Sequence, residues 1–500
     1  MSEVSDAVQP MWPRWTASVV LACLLVFVGL CVVFPEADTP SWLPGLPVER
    51  AHELLVEPAA KAHEARNMAL FGEWQRNPSD QYQFWRPQSP VWVYPLAGAF
   101  RLFGTNYIVL HVFSSVVGLL GLSAMALLLR RLVAPAPGLL VLAASSTNLF
   151  AVLTGRSGLI EVAIGSAAIG LVLFVTLAKR HPAWLLAAQL CFFVGFFAKQ
   201  GMLYTLPVIT LGTLWICLTS DRRSPWRWIP VATGTLLTLL AAIVVLQPDY
   251  LRTVWWNIDH LIRGGASDDG SADIAYGTRL DPARLWWSLF VILPVTGVLG
   301  WMAVVVVSGR AVLRRTISWE HAVVTGWMLC SWLAVAVLRT WTVRFSSILL
   351  LPTLVMAALL VDVAWRTRWS RTVVSAAMAV ALFINIALQV HRLTSVKYTV
   401  YDAAHSIEAS LPSTPQVVVG RYAMPVMLST HHDVYFVKPG FNMANGTLSE
   451  LGVTHVLEGR LDVPATELRS LGYTTHLTGV QVEVDGKMLR LKEARAAPTD

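Results

Sequence analysis

Apolar stretches of about twenty residues recur along the chain as far as Val390, and this pattern excludes most soluble folds. As a helix, each stretch is long enough to cross about 30 Å of hydrocarbon. Hydrophobic residues make up 55% of the chain and charged residues only 14%, whereas soluble domains carry about a quarter charged residues. The sequence therefore predicts a polytopic α-helical membrane protein with about 11 transmembrane helices, at 16–34, 107–129, 137–153, 159–178, 183–198, 202–219, 228–247, 285–308, 321–338, 346–364 and 372–390.

Basic residues in the connections between these spans predict how the chain is oriented. If the spans are right, the basic residues lie in alternate loops, which places them on one side, the cytoplasm. The sequence therefore predicts an integral protein of the plasma (inner) membrane. Its N-terminus then lies in the cytoplasm, and the first loop and the C-terminal region lie on the extracytoplasmic side. The net charge of +7 follows from this bias and does not indicate nucleic-acid binding. The residues concerned are Arg14, Arg130, Arg131, Lys179, Arg180, Arg222, Arg223, Arg227, Arg310, Arg314, Arg315, Arg366, Arg368 and Arg371.

A change of composition after His391 predicts two domains, a membrane module over 1–390 and an extracytoplasmic α/β domain over 391–500. Short apolar runs alternate with turn residues in the second domain, and Asp485-Gly486 is a strong two-residue hairpin signal. The residues from Ala494 to the end resemble a frayed tail. The predicted elements are helices over 401–411 and 448–451, strands over 416–420, 434–437 and 454–457, and a hairpin of 480–484 with 488–491.

The first outer loop, 35–106, is long, acidic and aromatic, and connections of this length are usually functional. Pro58 suits the first turn of a helix, which places Glu57 just before that helix. Glu57, Lys61 and Glu64 would then share one face. Two interpretations stay open for this acidic stretch: a helix cap followed by surface ion pairs, or one part of an active site.

Charges at the outer ends of predicted spans form a second group of candidates, because a charge in or near a bilayer is costly and usually has a task. Arg156 and Glu161 flank a short outer turn, Lys199 lies at another, and Arg344 begins a span. Cations on the outer side favour an anionic ligand such as a phosphate. An Arg156–Glu161 ion pair and a lysine that extends to the interface remain the structural alternatives.

A metal site receives little support from the sequence. The acidic and histidine residues of the first outer loop lack a recognised ligand spacing, so no metal site is predicted there. These residues are His52, Glu53, Glu57, His63 and Glu64.

The order of motifs along the first outer loop resembles the opening of GT-C-type integral-membrane glycosyltransferases, in particular the protein-O-mannosyltransferase-like and aminoarabinose-transferase-like group (glycosyltransferase family 39-like). The resemblance extends over nearly the whole chain and is strongest over 57–104. The motifs that carry it are an acid at Glu57, Ala65-Arg66-Asn67-Met68, Gly72-Glu73-Trp74, the run from Arg86 to Pro95 that includes Tyr94, and Leu102-Phe103-Gly104. The family usually has two successive acids where this chain has Glu57-Pro58.

The resemblance implies transfer of a sugar from a polyprenyl-phosphate donor to a lipid, glycan or protein acceptor on the extracytoplasmic side, with inversion. It implies Glu57 as the catalytic base and Lys199, Arg344 and Arg156 as ligands of the donor phosphate. No nucleotide cofactor is implied, and a divalent metal is left open. The residues that would line the substrate pocket are Glu161, His63, Glu64, Arg66, Arg86 and Tyr94.

Two further functions remain open at this point. A transporter or lipid-linked glycan flippase would use the buried charges to line a path. A polysaccharide polymerase or ligase would also use a lipid-linked sugar, but with its main outer loop late in the chain.

Overall fold

The computed structural model describes residues 12–39, 53–80, 89–219, 293–309, 318–337, 346–366, 368–436, 447–459, 468–469 and 472–496, with single positions at 232, 235, 236 and 239. The span predicted over 228–247 lies almost wholly outside this part of the chain, as do the site candidates Arg86 and Arg344.

The first part of the described chain is a helical bundle with an additional helical segment in its first outer loop. Its helices are α1 (Thr16–Val32), α2 (Glu53–Phe71), α3 (Pro90–Phe103), α4 (Tyr107–Leu132), α5 (Pro135–Thr147), α6 (Leu149–Ser157), α7 (Glu161–Ala178), α8 (Trp184–Ala198), a 3₁₀ segment (Gln200–Thr205), α9 (Leu206–Thr219), α10 (Thr296–Ala303) continued by a π-helical turn (Val304–Ser308), α11 (Trp319–Val337), α12 (Ser347–Trp365) and α13 (Arg368–Thr394).

Four helical segments of the described chain are long and apolar enough to cross a membrane, namely Tyr107–Leu132, Glu161–Ala178, Ser347–Trp365 and Ser370–Ser410. A fifth is added if α5 and α6, which meet at an angle of 54°, form one broken span. Four further apolar helices of the described chain, α1 among them, are shorter, with 10–17 residues. The predicted mostly helical, membrane-spanning architecture is thus present, whereas the count of eleven is not confirmed.

Two buried arginines hold the carboxyl end of α1. The terminal nitrogens of Arg156 donate to the backbone carbonyls of Cys31, Val33, Phe34 and Ala37, at 3.0, 2.8, 2.6 and 2.7 Å. Arg392 donates to the carbonyl of Leu30 at 2.7 Å. The last carbonyls of a helix have no intrahelical partner and carry partial negative charge. Guanidinium groups therefore stabilise the end of α1 and the chain that follows it.

Helix α2 begins earlier than the sequence suggests. It starts at Glu53, so Pro58 lies inside the helix and Glu57 is in its second turn. The prediction that Glu57 precedes the first helical residue is therefore wrong. Packing of α2 on both sides outweighs the hydrogen bond that Pro58 cannot donate. The shared face of Glu57, Lys61 and Glu64 follows directly from their spacing in this continuous helix.

Helix α2 lies between the bundle and the C-terminal domain. Leu55, Val56, Ala59 and Ala60 are buried in the core of that domain. Small residues on the next turns, Ala62 and Ala65, instead pack against α3 and the ends of the bundle helices. Burial on both sides is possible because alanine lets neighbouring elements approach closely. The helix thus joins the two parts of the molecule.

The C-terminal domain is a five-stranded sheet with strand order β2-β1-β3-β5-β4. Strand β1 pairs in parallel with β2 and β3, and the long β4–β5 hairpin is antiparallel. Both turn residues, Asp485 and Gly486, have positive φ angles of 51° and 76°, as a type I′ turn requires. The elements are α14 (Thr399–Ser410), β1 (Val417–Val419), α15 (Ala423–Val426), β2 (Asp433–Tyr435), α16 (Thr447–Glu450), β3 (His455–Glu458), β4 (Tyr473–Val484) and β5 (Lys487–Ala496).

Most of these elements match the predicted ones. The frayed tail from Ala494 is wrong in part, because β5 continues to Ala496. Pairing of Ala494 with Thr475 and of Ala496 with Tyr473 explains this extension, since each added pair satisfies backbone groups of both strands. The boundary between domains at residue 390 stays a prediction; α13 runs past it to Thr394.

A third buried arginine, Arg66, fastens α2 to the C-terminal domain. Its Nε donates to the carbonyl of Leu428 at 3.0 Å, and its Nη2 donates to the carbonyls of Thr430 and of His432, the latter at 2.8 Å. Its Nη1 donates to Asn67 Oδ1 at 3.0 Å. Burial lowers the pKa of this guanidinium to about 10, so it stays charged at neutral pH. One side chain thereby satisfies three carbonyls of the segment that precedes β2.

We expect Arg66→Met to weaken docking of the C-terminal domain strongly. The substitution keeps a long apolar stem but leaves the carbonyls of Leu428, Thr430 and His432 buried without their charged donor, at about 1.5–3 kcal/mol for each hydrogen bond lost. The melting temperature of the detergent-solubilised protein should fall, and limited proteolysis should cleave the C-terminal domain faster.

The matched control is Arg101→Met. Arg101 is exposed and donates a single bond, at 3.0 Å, to the carbonyl of Met68, so its loss should leave melting and proteolysis nearly unchanged. Equal effects of the two substitutions would contradict the role given to Arg66.

Candidate functional site

A buried ion pair joins the ends of α7 and α8. Glu161 is the first residue of α7, and Lys199 directly follows α8 in extended conformation. Lys199 Nζ lies 2.5 Å from Glu161 Oε1, and the carboxylate side chain is only 2% exposed while the lysine is 26% exposed. The sequence singled out both residues but not their contact, since 38 positions separate them.

The pair lies where α2 and α3 cover the ends of the bundle helices. Its direct neighbours in sequence, Ile160 and Ala198, share one apolar cluster with Ala62 and Ala65 of α2. Trp92, Val93 and Leu96 of α3 complete that cluster. The first outer loop thus packs directly beside the Glu161–Lys199 pair, and this brings α2, which carries Glu57, to the same end of the bundle.

Arg156 makes hydrogen bonds that neither sequence interpretation described. Its two terminal nitrogens donate to four carbonyls at the end of α1 and just after it, and it does not form the ion pair with Glu161 that we considered. These bonds give the guanidinium a structural task and leave its predicted contact with a phosphate as a proposal. Arg156 is 2% exposed. The dielectric constant around its guanidinium is therefore low, and its charge is screened less than a charge in water would be.

The candidates on α2 differ in how far they are buried. Glu57 is half-buried, whereas His63 and Glu64 are fully enclosed. Glu57 lies five positions before Ala62, which is about 1.4 helical turns. Of the two acids of this helix whose burial the structure describes, Glu57 and Glu64, only Glu57 is open to an approaching acceptor molecule. Its role as a base stays a prediction.

His63 is a buried contact between α2 and α15. Its Nε2 lies 2.8 Å from the carbonyl of Met424, to which it donates in the tautomer that carries the proton there. Burial, with the charge of Arg66 as a smaller cause, lowers the pKa of His63 to about 3. The imidazole is therefore neutral at physiological pH and contacts the C-terminal domain, while its place in a substrate pocket stays a prediction.

Tyr94 marks the exposed side of the same region. It is 50% exposed on α3, and its ring meets Trp74 edge to face with 4.9 Å between centroids. Such aromatic surfaces suit the apolar face of a sugar ring or the bilayer interface. The packing against Trp74 fixes the ring beside the segment that follows α2.

Sequence reasoning missed Asp38. Its carboxylate accepts bonds from Thr399 N, Thr399 Oγ1 and Val400 N at 2.9, 2.6 and 3.0 Å, so it caps α14 across 361 residues or more. Burial raises the pKa of this carboxyl, against the effect of these bonds. No local signal could have found it, because N-caps are recognised from residues adjacent in sequence.

The structure therefore brings Glu161 and Lys199 together and places α2 beside them. His63 and Arg66 hold the C-terminal domain, and Arg156 holds α1. Arg86 and Arg344 fall outside the described residues. Among the described residues, no group of three or more histidine, cysteine or acidic side chains is arranged to hold a metal ion.

We predict that Lys199→Met destabilises the protein by about 3 kcal/mol, because it removes the ammonium from a nearly inaccessible carboxylate. Adding Glu161→Gln should restore much of the loss, since the double variant no longer buries that charge. Melting temperatures of the wild type, both single variants and the double variant give the coupling. Additive effects would contradict an interacting pair.

The lowered pKa of His63 predicts that the stability of the folded protein depends on pH. The pKa of His63 is about 3 in the folded protein, and the ordinary value of 6.5 applies to the unfolded chain. Between these two pH values His63 is therefore protonated in the unfolded chain and neutral in the folded protein. The free energy of unfolding therefore falls as the pH falls below 6.5, by about 1.4 kcal/mol per pH unit from this group.

The variant His63→Gln keeps a donor for the Met424 carbonyl and cannot titrate. We expect its melting temperature to fall less than that of the wild type between pH 7 and pH 4. This range covers most of the interval between the two pKa values of His63, 6.5 and about 3. His431→Gln, at an exposed histidine of the C-terminal domain, should keep the wild-type profile. A His63→Gln profile parallel to that of the wild type would contradict the assignment.

Solved structures with similar folds extend over most of the chain. ArnT from Cupriavidus metallidurans in the apo state has a TM-score of 0.59 and 14% sequence identity, over 96% of this chain and 97% of that one. The form of ArnT bound to undecaprenyl phosphate gives 0.57, with 14% identity and coverage of 97% and 98%.

The archaeal oligosaccharyltransferase AglB from Archaeoglobus fulgidus, in complex with an inhibitory peptide and a dolichol-phosphate, gives a TM-score of 0.54 and 14% identity, over 89% of this chain and 69% of that one. No protein-family model and no curated protein sequence matches the chain. Identities this low establish the fold alone. The chain has the fold of the GT-C-type integral-membrane glycosyltransferases, of which ArnT and AglB are examples.

Proposed function

We propose that this protein is a membrane glycosyltransferase that takes a sugar from a polyprenyl-phosphate-linked donor. The observation that carries the proposal is the end-to-end likeness to ArnT in complex with undecaprenyl phosphate, over 97% of this chain. A cation beside the first outer loop supports it, because Lys199 lies where α2 and α3 cover the bundle.

The proposed orientation follows from the distribution of basic residues. The protein is integral to the inner membrane, with its N-terminus in the cytoplasm. The first outer loop and the C-terminal domain lie on the extracytoplasmic side. Donor and acceptor then meet at the outer rim of the helical bundle. The acceptor is a lipid, a glycan or a protein on that side.

The proposed reaction is a direct displacement at the anomeric carbon. The acceptor hydroxyl oxygen forms the new bond to that carbon, its proton passes to the Glu57 carboxylate, and the bond from the carbon to the phosphate oxygen breaks. Polyprenyl phosphate leaves with the bonding electrons, and the anomeric configuration is inverted. The activated phosphate ester supplies the energy, so no nucleotide takes part.

Fixed cations favour this reaction because negative charge develops on the leaving phosphate. Lys199 is the first candidate: an ammonium carries three donors, and an arriving phosphate would share it with Glu161. Arg344 is the second cation in the proposal. Arg156 contributes positive charge through space while its hydrogen bonds keep the chain after α1 in place.

The remaining predicted pocket residues would support these groups. Tyr94 offers an exposed ring for a sugar, and Glu161 orients Lys199. His63 and Arg66 hold the C-terminal domain against α2, so they would act through its position. Glu64 and Arg86 are the remaining residues of the proposed substrate pocket.

The test is a turnover assay on the purified protein with a panel of polyprenyl-phosphate sugars, which measures release of polyprenyl phosphate and labelling of an acceptor. We expect Glu57→Gln to lower the rate by about 10²–10⁴, the usual contribution of a general base. Binding of the donor should be retained, because the side chain keeps its size. A parallel series with a chelator shows whether a divalent metal is needed.

Glu73→Gln is the matched control. Glu73 is an exposed acid of the same outer segment and pairs with Arg76 at 3.2 Å, so its neutralisation should leave turnover unchanged. Donor movement across the bilayer without polyprenyl phosphate release would contradict the proposal in favour of a transporter or flippase. Extension of a glycan chain from the lipid would favour a polymerase or ligase.

A further inference from the structure

The two faces of the C-terminal sheet have different surroundings. On one face, Leu489 and Leu491 of β5 are buried in the same core as Leu55 and Val56 of α2. That face points toward the bundle. Residues of β5 alternate between faces, so Arg490 and Lys492 lie on the opposite face, which points away from the bundle.

Helix α16 and its neighbours cover only part of that opposite face. Leu448, Leu451 and Leu468 pack there over Val419 and Val456 of the strands β1 and β3. Beside this cover, along β4 and β5, lies an open cavity of about 490 Å³. Its size falls in the range of about 300–1,000 Å³ that is usual for small-molecule sites. It is lined by Arg469, Thr474, Thr475, His476, Leu477, Arg490 and Lys492.

The chemistry of this cavity is strongly one-sided. Three of its lining residues are permanent cations, none is acidic, and two are threonines with hydroxyl groups. The strand register places Leu477 directly opposite Lys492, so a 63% exposed apolar side chain lies beside the charges. Among the acids of the same hairpin, Glu493 lies on the other face and pairs with Arg495 at 2.8 Å, whereas Glu483, opposite Met488, lies on the face of Arg490 but does not line the cavity. The cavity thus offers positive charge, hydroxyl groups and one apolar surface together.

We propose that this cavity, which we call the basic sheet pocket, binds an acidic saccharide. Arginine forks bind carboxylate or phosphate oxygens with two hydrogen bonds, and the threonine hydroxyls suit the hydroxyl groups of a sugar. Leu477 gives the apolar edge of a sugar ring a surface to pack on. The inference goes beyond the proposed function and does not depend on it, since binding can be measured without turnover.

The position of the basic sheet pocket favours a saccharide over the bilayer itself. A membrane-binding surface would be expected on the side of the domain that faces the bundle, yet that side is occupied by α2 and α15. The basic sheet pocket opens on the other side of the sheet. A soluble or extended chain that carries carboxylate or phosphate groups can reach it there.

The experiment uses the full-length protein in nanodiscs of neutral phosphatidylcholine. Binding of a short fluorescent oligogalacturonide, which carries carboxylates, and of a phosphorylated oligomannoside is followed by anisotropy. Neutral dextran of equal size is the third ligand. We expect binding of one or both acidic ligands, no binding of dextran, and weaker binding as salt rises.

The variant Arg490→Gln with Lys492→Gln should weaken acidic-ligand binding at least about tenfold, the effect of losing about 1.4 kcal/mol. Arg495→Gln, on the same strand but the opposite face, should bind within about twofold of the wild type. Arg490→Lys with Lys492→Arg should restore most of the affinity, which separates loss of charge from loss of fold.

Several results would overturn the inference. These are equal weakening by Arg495→Gln, equal binding of dextran, or no binding of either acidic ligand. Binding of anionic phosphatidylglycerol vesicles that the double variant abolishes, without saccharide binding, would assign the surface to a membrane instead. Saccharide binding with failure of the Glu57 assay would leave this inference intact and reject the proposed reaction.

Discussion

Buried guanidinium groups that donate to backbone carbonyls determine how this molecule is assembled. Arg156 satisfies four carbonyls at the end of α1 and just after it, and Arg66 satisfies three carbonyls ahead of β2. Each joins segments more than a hundred residues apart in sequence. An irregular backbone next to a membrane bundle has unpaired carbonyls, and leaving them buried without a donor is costly. The arginines remove that cost and fix the first outer loop between the bundle and the C-terminal domain.

The placement of α2 connects this architecture to the proposed chemistry. One side of the helix is part of the C-terminal core, and the other packs beside the Glu161–Lys199 pair. A change in the docking of the C-terminal domain would therefore move Glu57 relative to Lys199. The same domain presents the basic sheet pocket on its far side, so the molecule carries one candidate site at the rim of the bundle and a second one away from it.

The site was only partly predictable. Costly charges in apolar surroundings identified Arg156, Glu161 and Lys199, and an Arg156–Glu161 ion pair was one of the alternatives that the sequence left open. In the structure Glu161 meets Lys199 instead, because the packing of α7 against α8 brings together two helix ends that are 38 residues apart. Arg66 was noticed for its motif, yet its carbonyl partners come from a segment more than 360 residues away. Local patterns identify costly groups, but their partners depend on tertiary packing.

The sequence alone determined the helical membrane architecture, the resemblance to GT-C-type glycosyltransferases, and the strands and the Asp485-Gly486 hairpin of the C-terminal domain. These follow from hydrophobic runs, alternation and turn residues, which act between neighbours in the chain. Tertiary structure alone decided that α2 begins at Glu53, that Asp38 caps α14, and that the basic side chains of β5 share an open pocket. Such features depend on contacts between distant segments, and no local pattern records which segments the folded chain brings together.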